Sequence, residues 1–171
     1  MSSYLLRCFV LLVNCNIPLD FAIIVDTSGS ISRRNFRLLQ RFIHSLVDGF
    51  KVATDYTHIA VIDYSTAASV QLRFNDLSGR NLTKNNVNKK VQSMPHKKGF
   101  TYIDKALRKA DQDVFTYAAG MRYDADKVNI FVHDHHRALV LRSKRPVLKF
   151  GKGANYVSNK LPLKKDSGQP R

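Results

Sequence analysis

Apolar and polar positions along the chain follow two rhythms. Phe21-Ala22-Ile23-Ile24-Val25 is a continuous apolar run closed by the polar turn Asp26-Thr27-Ser28-Gly29-Ser30. It predicts a strand buried on both faces. Phe36, Leu39, Phe42, Ile43, Leu46, Val47 and Phe50 then recur three and four residues apart, with Ser32 placed to cap them, as in an amphipathic helix. Thr57–Tyr64, with Ile59-Ala60-Val61-Ile62 at its centre, predicts a second buried strand. In Ser69–Phe74, Val70, Leu72 and Phe74 alternate with polar residues, the mark of a half-exposed edge strand. Val87, Val91 and Met94 share a face of a short helix that Pro95 ends. Ile103, Ala106, Leu107, Ala110 and Val114 repeat at helical spacing, and Val128-Asn129-Ile130-Phe131-Val132 predicts another buried strand running out at His133-Asp134.

Strands that alternate with helices and are apolar throughout imply an α/β fold, a Rossmann-like, doubly wound and mostly parallel sheet flanked by helices. Ligands on such sheets gather beyond the carboxyl ends of the strands. Asp26–Ser30 and Asp134 therefore belong to one rim.

Charge divides the chain. Of its 171 residues, 28 are Lys or Arg and 13 are acidic, all of them Asp, for a net charge of +15. Residues 1–134 carry +6, whereas 135–171 carry +9 with Asp166 as their one acid. Pro146, Gly151, Gly153, Pro162, Gly168 and Pro170 interrupt any long period there, so the patterned domain is expected to span 19–134 and a basic, disordered tail 135–171. In the tail, Arg142, Lys144, Arg145, Lys149 and Lys152 are candidates for binding a polyanion. Aromatics are sparse (Phe150, Tyr156), which favours a glycosaminoglycan or an acidic surface over sequence-specific nucleic acid. Ala138-Leu139-Val140-Leu141 is apolar enough to cover the edge of the strand at Val128–Val132.

Residues 1–18 read as a signal peptide or an N-terminal linker. Arg7 precedes Cys8-Phe9-Val10-Leu11-Leu12-Val13, similar to the charged start and apolar centre of a secretory signal, without an Ala-x-Ala-like cleavage site. Cys8 and Cys15 suit a local pair or free thiols. No apolar run is long enough for a transmembrane helix.

The candidate chemistry lies in alternating oxygens. Asp26, Ser28 and Ser30 follow a buried strand, and alternate side chains of an extended turn project the same way. The same residue types also cap helices, and one begins two residues on. Thr101, in a loop before a helix, and Asp134, at the end of another strand, occupy matching places. Together they suit a hard cation such as Mg²⁺ (Mn²⁺ or Ca²⁺ being alternatives), which takes about six oxygens. With neutral hydroxyls around it, the ion would seek an acidic group from outside.

At these residues the chain resembles a known family. Asp20-Phe21-Ala22-Ile23-Ile24-Val25-Asp26-Thr27-Ser28-Gly29-Ser30-Ile31 is similar to the opening of a von Willebrand factor type A domain, as in matrilins, collagen VI-like chains and integrin inserted domains. Ile59-Ala60-Val61-Ile62-Asp63-Tyr64-Ser65 resembles that family's second strand, and Gly99-Phe100-Thr101-Tyr102-Ile103-Asp104-Lys105-Ala106-Leu107 its threonine loop. The resemblance implies a metal-ion-dependent adhesion site with Ser28, Ser30 and Thr101 as hydroxyl ligands and Asp26 and Asp134 acting largely through water. It further implies an extracellular, secreted adhesion module without enzyme activity, whose partner is a matrix or cell-surface protein, collagen-like for example, offering Glu or Asp. Three departures stand out. The family typically has Thr-Asp-Gly where this chain has His133-Asp134-His135, and a full domain carries further strands and helices beyond Asp134, so the resemblance implies a C-terminally incomplete domain, with a non-functional truncated fragment as the alternative reading. Family members often pair a cysteine before the first strand with a late one; Cys15 fits the first position, and no later cysteine exists.

Other readings are weaker. His133-Asp134-His135-His136 contains imidazoles that suit Zn²⁺ or Cu²⁺, but neighbouring residues point in different directions and no second cluster completes a tetrahedron. The phosphate-loop and dinucleotide glycine patterns are absent, and no nucleophile elbow or Cys/His pair stands out. Asn81-Leu82-Thr83 is a glycosylation sequon, with Asn81 the acceptor in a secreted chain.

Overall fold

The computed structural model describes residues 17–134, 137–143 and 159–160, with side chains to His133. One six-stranded sheet, in the order β3-β2-β1-β4-β5-β6, carries the fold. Its strands are β1 (Leu19–Asp26), β2 (Thr57–Tyr64), β3 (Ala68–Leu72), β4 (Asp126–Asp134), β5 (Arg137–Ser143) and β6 (Asn159–Lys160). β1 lies between β2 and β4, parallel to both, while β3 on one side and β5 followed by β6 on the other continue the sheet antiparallel.

Sequence period decides which side chains reach which face. Phe21, Ile23 and Val25 of β1 join Ile59 and Val61 of β2 and Val128, Ile130 and Val132 of β4 in one core. Two helices cover it: α1 (Arg33–Asp48) through Phe36, Leu39, Ile43 and Val47, and α2 (Lys84–Gln92) through Val87 and Val91. The intervening Ala22, Ile24, Ala60, Ile62 and Phe131 face the other way, under α3 (Ile103–Asp113) with Ala106 and Ala110. A strand buried on both faces must be apolar at every position, as β1 and β2 nearly are.

Local chemistry sets the helix ends. The Ser32 side chain accepts from Asn35 N at the start of α1, and Thr83 does the same for Asn86 N at α2. α2 stops at Gln92, ahead of Pro95, because the residue before a proline avoids helical backbone.

The strand Arg137–Ser143 extends the sheet past Asp134, where composition placed the end of the patterned domain. It pairs antiparallel with β4, from Lys127↔Ser143 to Asp134↔Arg137, so the apolar stretch Ala138–Leu141 does cover the β4 edge. At the opposite end of the sheet from the Asp26 rim, Arg122 closes the structure. It donates to the buried Asp20 carboxylate from Nε at 2.8 Å and to the Leu19 and Tyr56 carbonyls from Nη2 at 3.0 and 2.7 Å. Gly120, at φ 85°, ends the short turn before it; a Cβ there would stand 2.8 Å from the Asn75 backbone nitrogen, so only glycine fits.

Candidate functional site

β1 ends at Asp26, and the chain then turns beneath the loop that follows α2. Backbone bonds stitch these two segments together: Lys98 N donates to Thr27 O at 2.9 Å, and Gly29 N to Gly99 O at 2.9 Å. The second loop needs unusual backbone to come so close. Lys98 has φ 58° and Gly99 φ 86°, and a Cβ on Gly99 would stand 2.6 Å from Thr66 Oγ1. This stitching brings Thr101 from 73 residues away onto Ser28.

The three hydroxyls form a triangle. Ser28 Oγ lies 2.7 Å from Ser30 Oγ and 2.8 Å from Thr101 Oγ1, and Ser30 Oγ lies 3.5 Å from Thr101 Oγ1. A hard cation holding oxygens at ~2.1 Å in an octahedron spaces adjacent ligands about 3.0 Å apart, which falls within this range. Behind the triangle, the fully buried Asp26 accepts from Ser28 N through Oδ1 at 2.7 Å, and His133 Nδ1 donates to its Oδ2. The donor set is therefore hard oxygen throughout, with Ser28 buried and Ser30 exposed. These residues fit a Mg²⁺-type ion.

Sequence reasoning singled out Asp26, Ser28, Ser30 and Thr101, and the fold gathers all four. Asp134 closes β4, and its side chain lies outside the described atoms. His133, which the sequence offers only within a weak transition-metal cluster, is half exposed here and faces Asp26. His135 and His136, residues 1–16 with Cys8 and Cys15, and the tail cations Lys144, Arg145, Lys149 and Lys152 lie outside the described residues, and Arg142 is described only as backbone of β5. Asn81 is exposed in a short turn, Gly79–Asn81, while Thr83 of its sequon is committed to capping α2.

Several neighbours were not legible as site residues. Asp63 is fully buried and accepts from Lys97 Nζ at 2.7 Å and Gln71 Nε2 at 2.5 Å, tying the Thr101 loop to β2. His96 stacks on Phe36 and its Nε2 donates to the Ser28 carbonyl at 3.2 Å. The Tyr64 hydroxyl, opposite Asp26 in the sheet, has its pKa pushed far above the phenol range by burial and then by the Asp26 charge. A charged residue inside a strand buried on both faces was the one available signal, since Asp63 needs a partner. That the partner would be Lys97 is beyond any spacing rule.

Around the triangle the surface is apolar and basic. Phe100 is 69% exposed, Tyr102 and Ile103 are exposed beside it, and the Phe100 and Tyr102 rings lie 5.9 Å apart. Lys105 Nζ stands 4.4 Å above the Tyr102 ring.

Comparison with known proteins agrees with this geometry. The profile of the von Willebrand factor type A domain matches residues 20–149. The chain is 32% identical over 115 residues to the collagen alpha-1(XII) chain of Notophthalmus viridescens, covering 67% of this chain and 12% of that one. It is 25% identical over 149 residues to matrilin-1 of Bos taurus, covering 87% of this chain and 24% of the relative. It thus spans a minor part of the length of these relatives. Among solved structures, proximal thread matrix protein 1 from the mussel byssus, with a zinc-occupied MIDAS motif, superposes with a TM-score of 0.61 at 28% identity, over 71% of this chain and 30% of that one. A second crystal form gives a TM-score of 0.63 at 25% identity, over 69% of this chain and 31% of that one. With most of its length matched, and with the sheet and the hydroxyl triangle in place, the chain belongs to the von Willebrand factor type A domain family.

Proposed function

We propose that this chain is an extracellular adhesion module, not an enzyme, that captures a carboxylate of a matrix or cell-surface protein through a divalent cation. The observation that carries the reading is the triangle of Ser28, Ser30 and Thr101 hydroxyls backed by buried Asp26. In it, Ser28, Ser30 and Thr101 offer neutral oxygens to Mg²⁺ while Asp26 supplies negative charge from behind, and Asp134, at the end of β4, is the second acid of the proposed set. The ion's contribution, when bound, is positive charge that three neutral ligands leave under-compensated and that a partner's Glu or Asp completes. The matrilin and collagen relatives and the zinc-occupied MIDAS of the byssal protein support extracellular adhesion and a divalent ion at this position.

The chain's own residues then select the partner. Lys98 and Lys105 on the rim favour an acidic segment, and Phe100, Tyr102 and Ile103 present apolar surface beside the triangle. The carboxylate sought therefore has an apolar neighbour in the partner sequence.

Thermal melting with and without Mg²⁺ or Mn²⁺ tests the metal. An ion bound only by the folded state at about 100 times its dissociation constant adds ~2.7 kcal/mol, a rise of roughly 5–10 °C at this size. Ser30→Ala, an exposed change, should remove most of that rise, and a chelator should abolish binding to acidic matrix ligands. No rise at millimolar metal, with partner binding indifferent to chelator, overturns the reading.

A further inference from the structure

We propose that the outward face of the α1–α2 layer binds a sulfated glycosaminoglycan through Arg33, Arg37 and Arg41, with Arg34, Lys89 and Lys90 beside them. At about 100° per residue, Arg33, Arg34, Arg37 and Arg41 fall within one ~100° sector of α1, away from the buried face of Phe36, Leu39 and Ile43. Arg33, Arg37 and Arg41 are spaced four apart, so they line ~12 Å of the helix axis. All four are exposed, and none of their side chains has an ion-pair or hydrogen-bond partner among the described residues.

The layer provides nothing to neutralise them. The α1 and α2 sequences contain one acid, Asp48, at the far end of α1, where it already pairs with His44 at 3.0 Å. The first turn of α1 has no acidic residue, although a helix start favours negative charge. Across the sheet α3 is built on the opposite rule: Arg108 and Lys109 each have an aspartate one turn away, Asp104 at 4.0 Å and Asp113 at 2.6 Å. The same chain thus gives Arg108 and Lys109 an aspartate each on one layer and leaves the α1 arginines without an acid, mutually repelling, on the other. Gln40 bonds the carbonyls of Val91 and Gln92, which sets the end of α2, with exposed Lys89 and Lys90, against the middle of α1.

The ligand class follows from what the face lacks. The exposed large apolar residues of the described chain are Phe100, Tyr102, Ile103, Tyr117 and Tyr123, none of them on α1 or α2. Without them the face cannot stack bases or enter a lipid headgroup layer. Arginine forks match the paired oxygens of sulfate and carboxylate, which a sulfated uronic-acid polymer repeats along its length. The stripe begins at Arg33, three residues past Ser30, and runs from that end down α1; its charges need no metal.

Heparin binding by the full chain, with chelator present and at several salt concentrations, tests the assignment. Arg33→Gln/Arg37→Gln/Arg41→Gln should weaken binding at least tenfold and flatten the salt dependence by about two charges, at a melting temperature no lower than the parent's. Arg142→Gln/Lys144→Gln/Arg145→Gln, an equal loss of charge elsewhere, should weaken it much less. Should the α1 variant melt lower, Lys89→Gln/Lys90→Gln decides and is expected to weaken binding as well. Unchanged binding by the α1 variant, equal losses from both triple variants, or tighter binding to duplex DNA or anionic vesicles than to heparin each overturn the proposal.

Discussion

Replacing Arg122 with methionine keeps the length of the stem and removes the guanidinium. In the native fold Nε donates to Asp20 Oδ1 at 2.8 Å, Nη2 to two carbonyls at 3.0 and 2.7 Å, and Nη1 to Thr54 O at 3.2 Å. The charge-assisted bond is worth ~1.5–3 kcal/mol and each buried carbonyl bond about 1, while water replaces the exposed Thr54 bond. Asp20 is wholly buried and keeps only the Arg122 backbone N–H, at 2.7 Å, so its charge is stranded. Removing one partner of a buried pair costs about 3–5 kcal/mol, consistent with that sum. Urea unfolding should show this loss, and thermal melting a fall of roughly 10 °C. Asp20→Asn combined with Arg122→Met should lose less than the two single changes together, because the stranded charge is gone. The hydroxyl triangle lies at the other end of β1, about 20 Å away by strand rise, so metal affinity of the folded fraction should be unchanged. A loss below about 1 kcal/mol, or singles that simply add, refutes the account.

Three further outcomes are expected. Lys97→Met strands buried Asp63 and frees the Thr101 loop, so it should cost ~2–4 kcal/mol and weaken metal binding, with Lys97→Arg restoring both; urea midpoints and metal titration read the two effects. His58 has its pKa held below the ordinary 6.5 first by burial and then by the Arg122 charge. A folded-state pKa depressed in this way favours the neutral imidazole, so its stabilisation is present above about pH 6.5 and is lost as pH falls through the folded-state value; His58→Gln should flatten the urea midpoint over that range. Gly99→Ala should cost more than Gly79→Ala and alone weaken metal binding, since both have positive φ but only at Gly99 would a Cβ meet an atom, at 2.6 Å.

Much of this arrangement is legible in sequence because burial on both faces writes itself as unbroken apolar runs. β2 follows the apolar run Thr57–Tyr64 at both ends, and Asp26, Ser28, Ser30 and Thr101 can be picked out by their places after a strand and before a helix. What stayed hidden is pairing at long range. Arg122 meets Asp20 across 102 residues and His133 meets Asp26 across 107, and no periodicity records either encounter. The β5 hairpin shows an intermediate case: its apolar stretch suggested a cover for β4, but the charge and glycine content around it masked how far the sheet extends.

The stitched loops make the hydroxyl triangle a coincidence detector for assembly. The exposed turn Gly79–Asn81 separates a first piece carrying β1, α1, β2 and β3 from a second carrying α2, α3, β4 and β5. Ser28 and Ser30 sit on the first piece and Thr101 on the second, and β1 takes one neighbouring strand from each. A chain opened at that turn would present two of the three hydroxyls on one fragment and the third on the other. Coordination by all three would then report that the fragments had met in the native register.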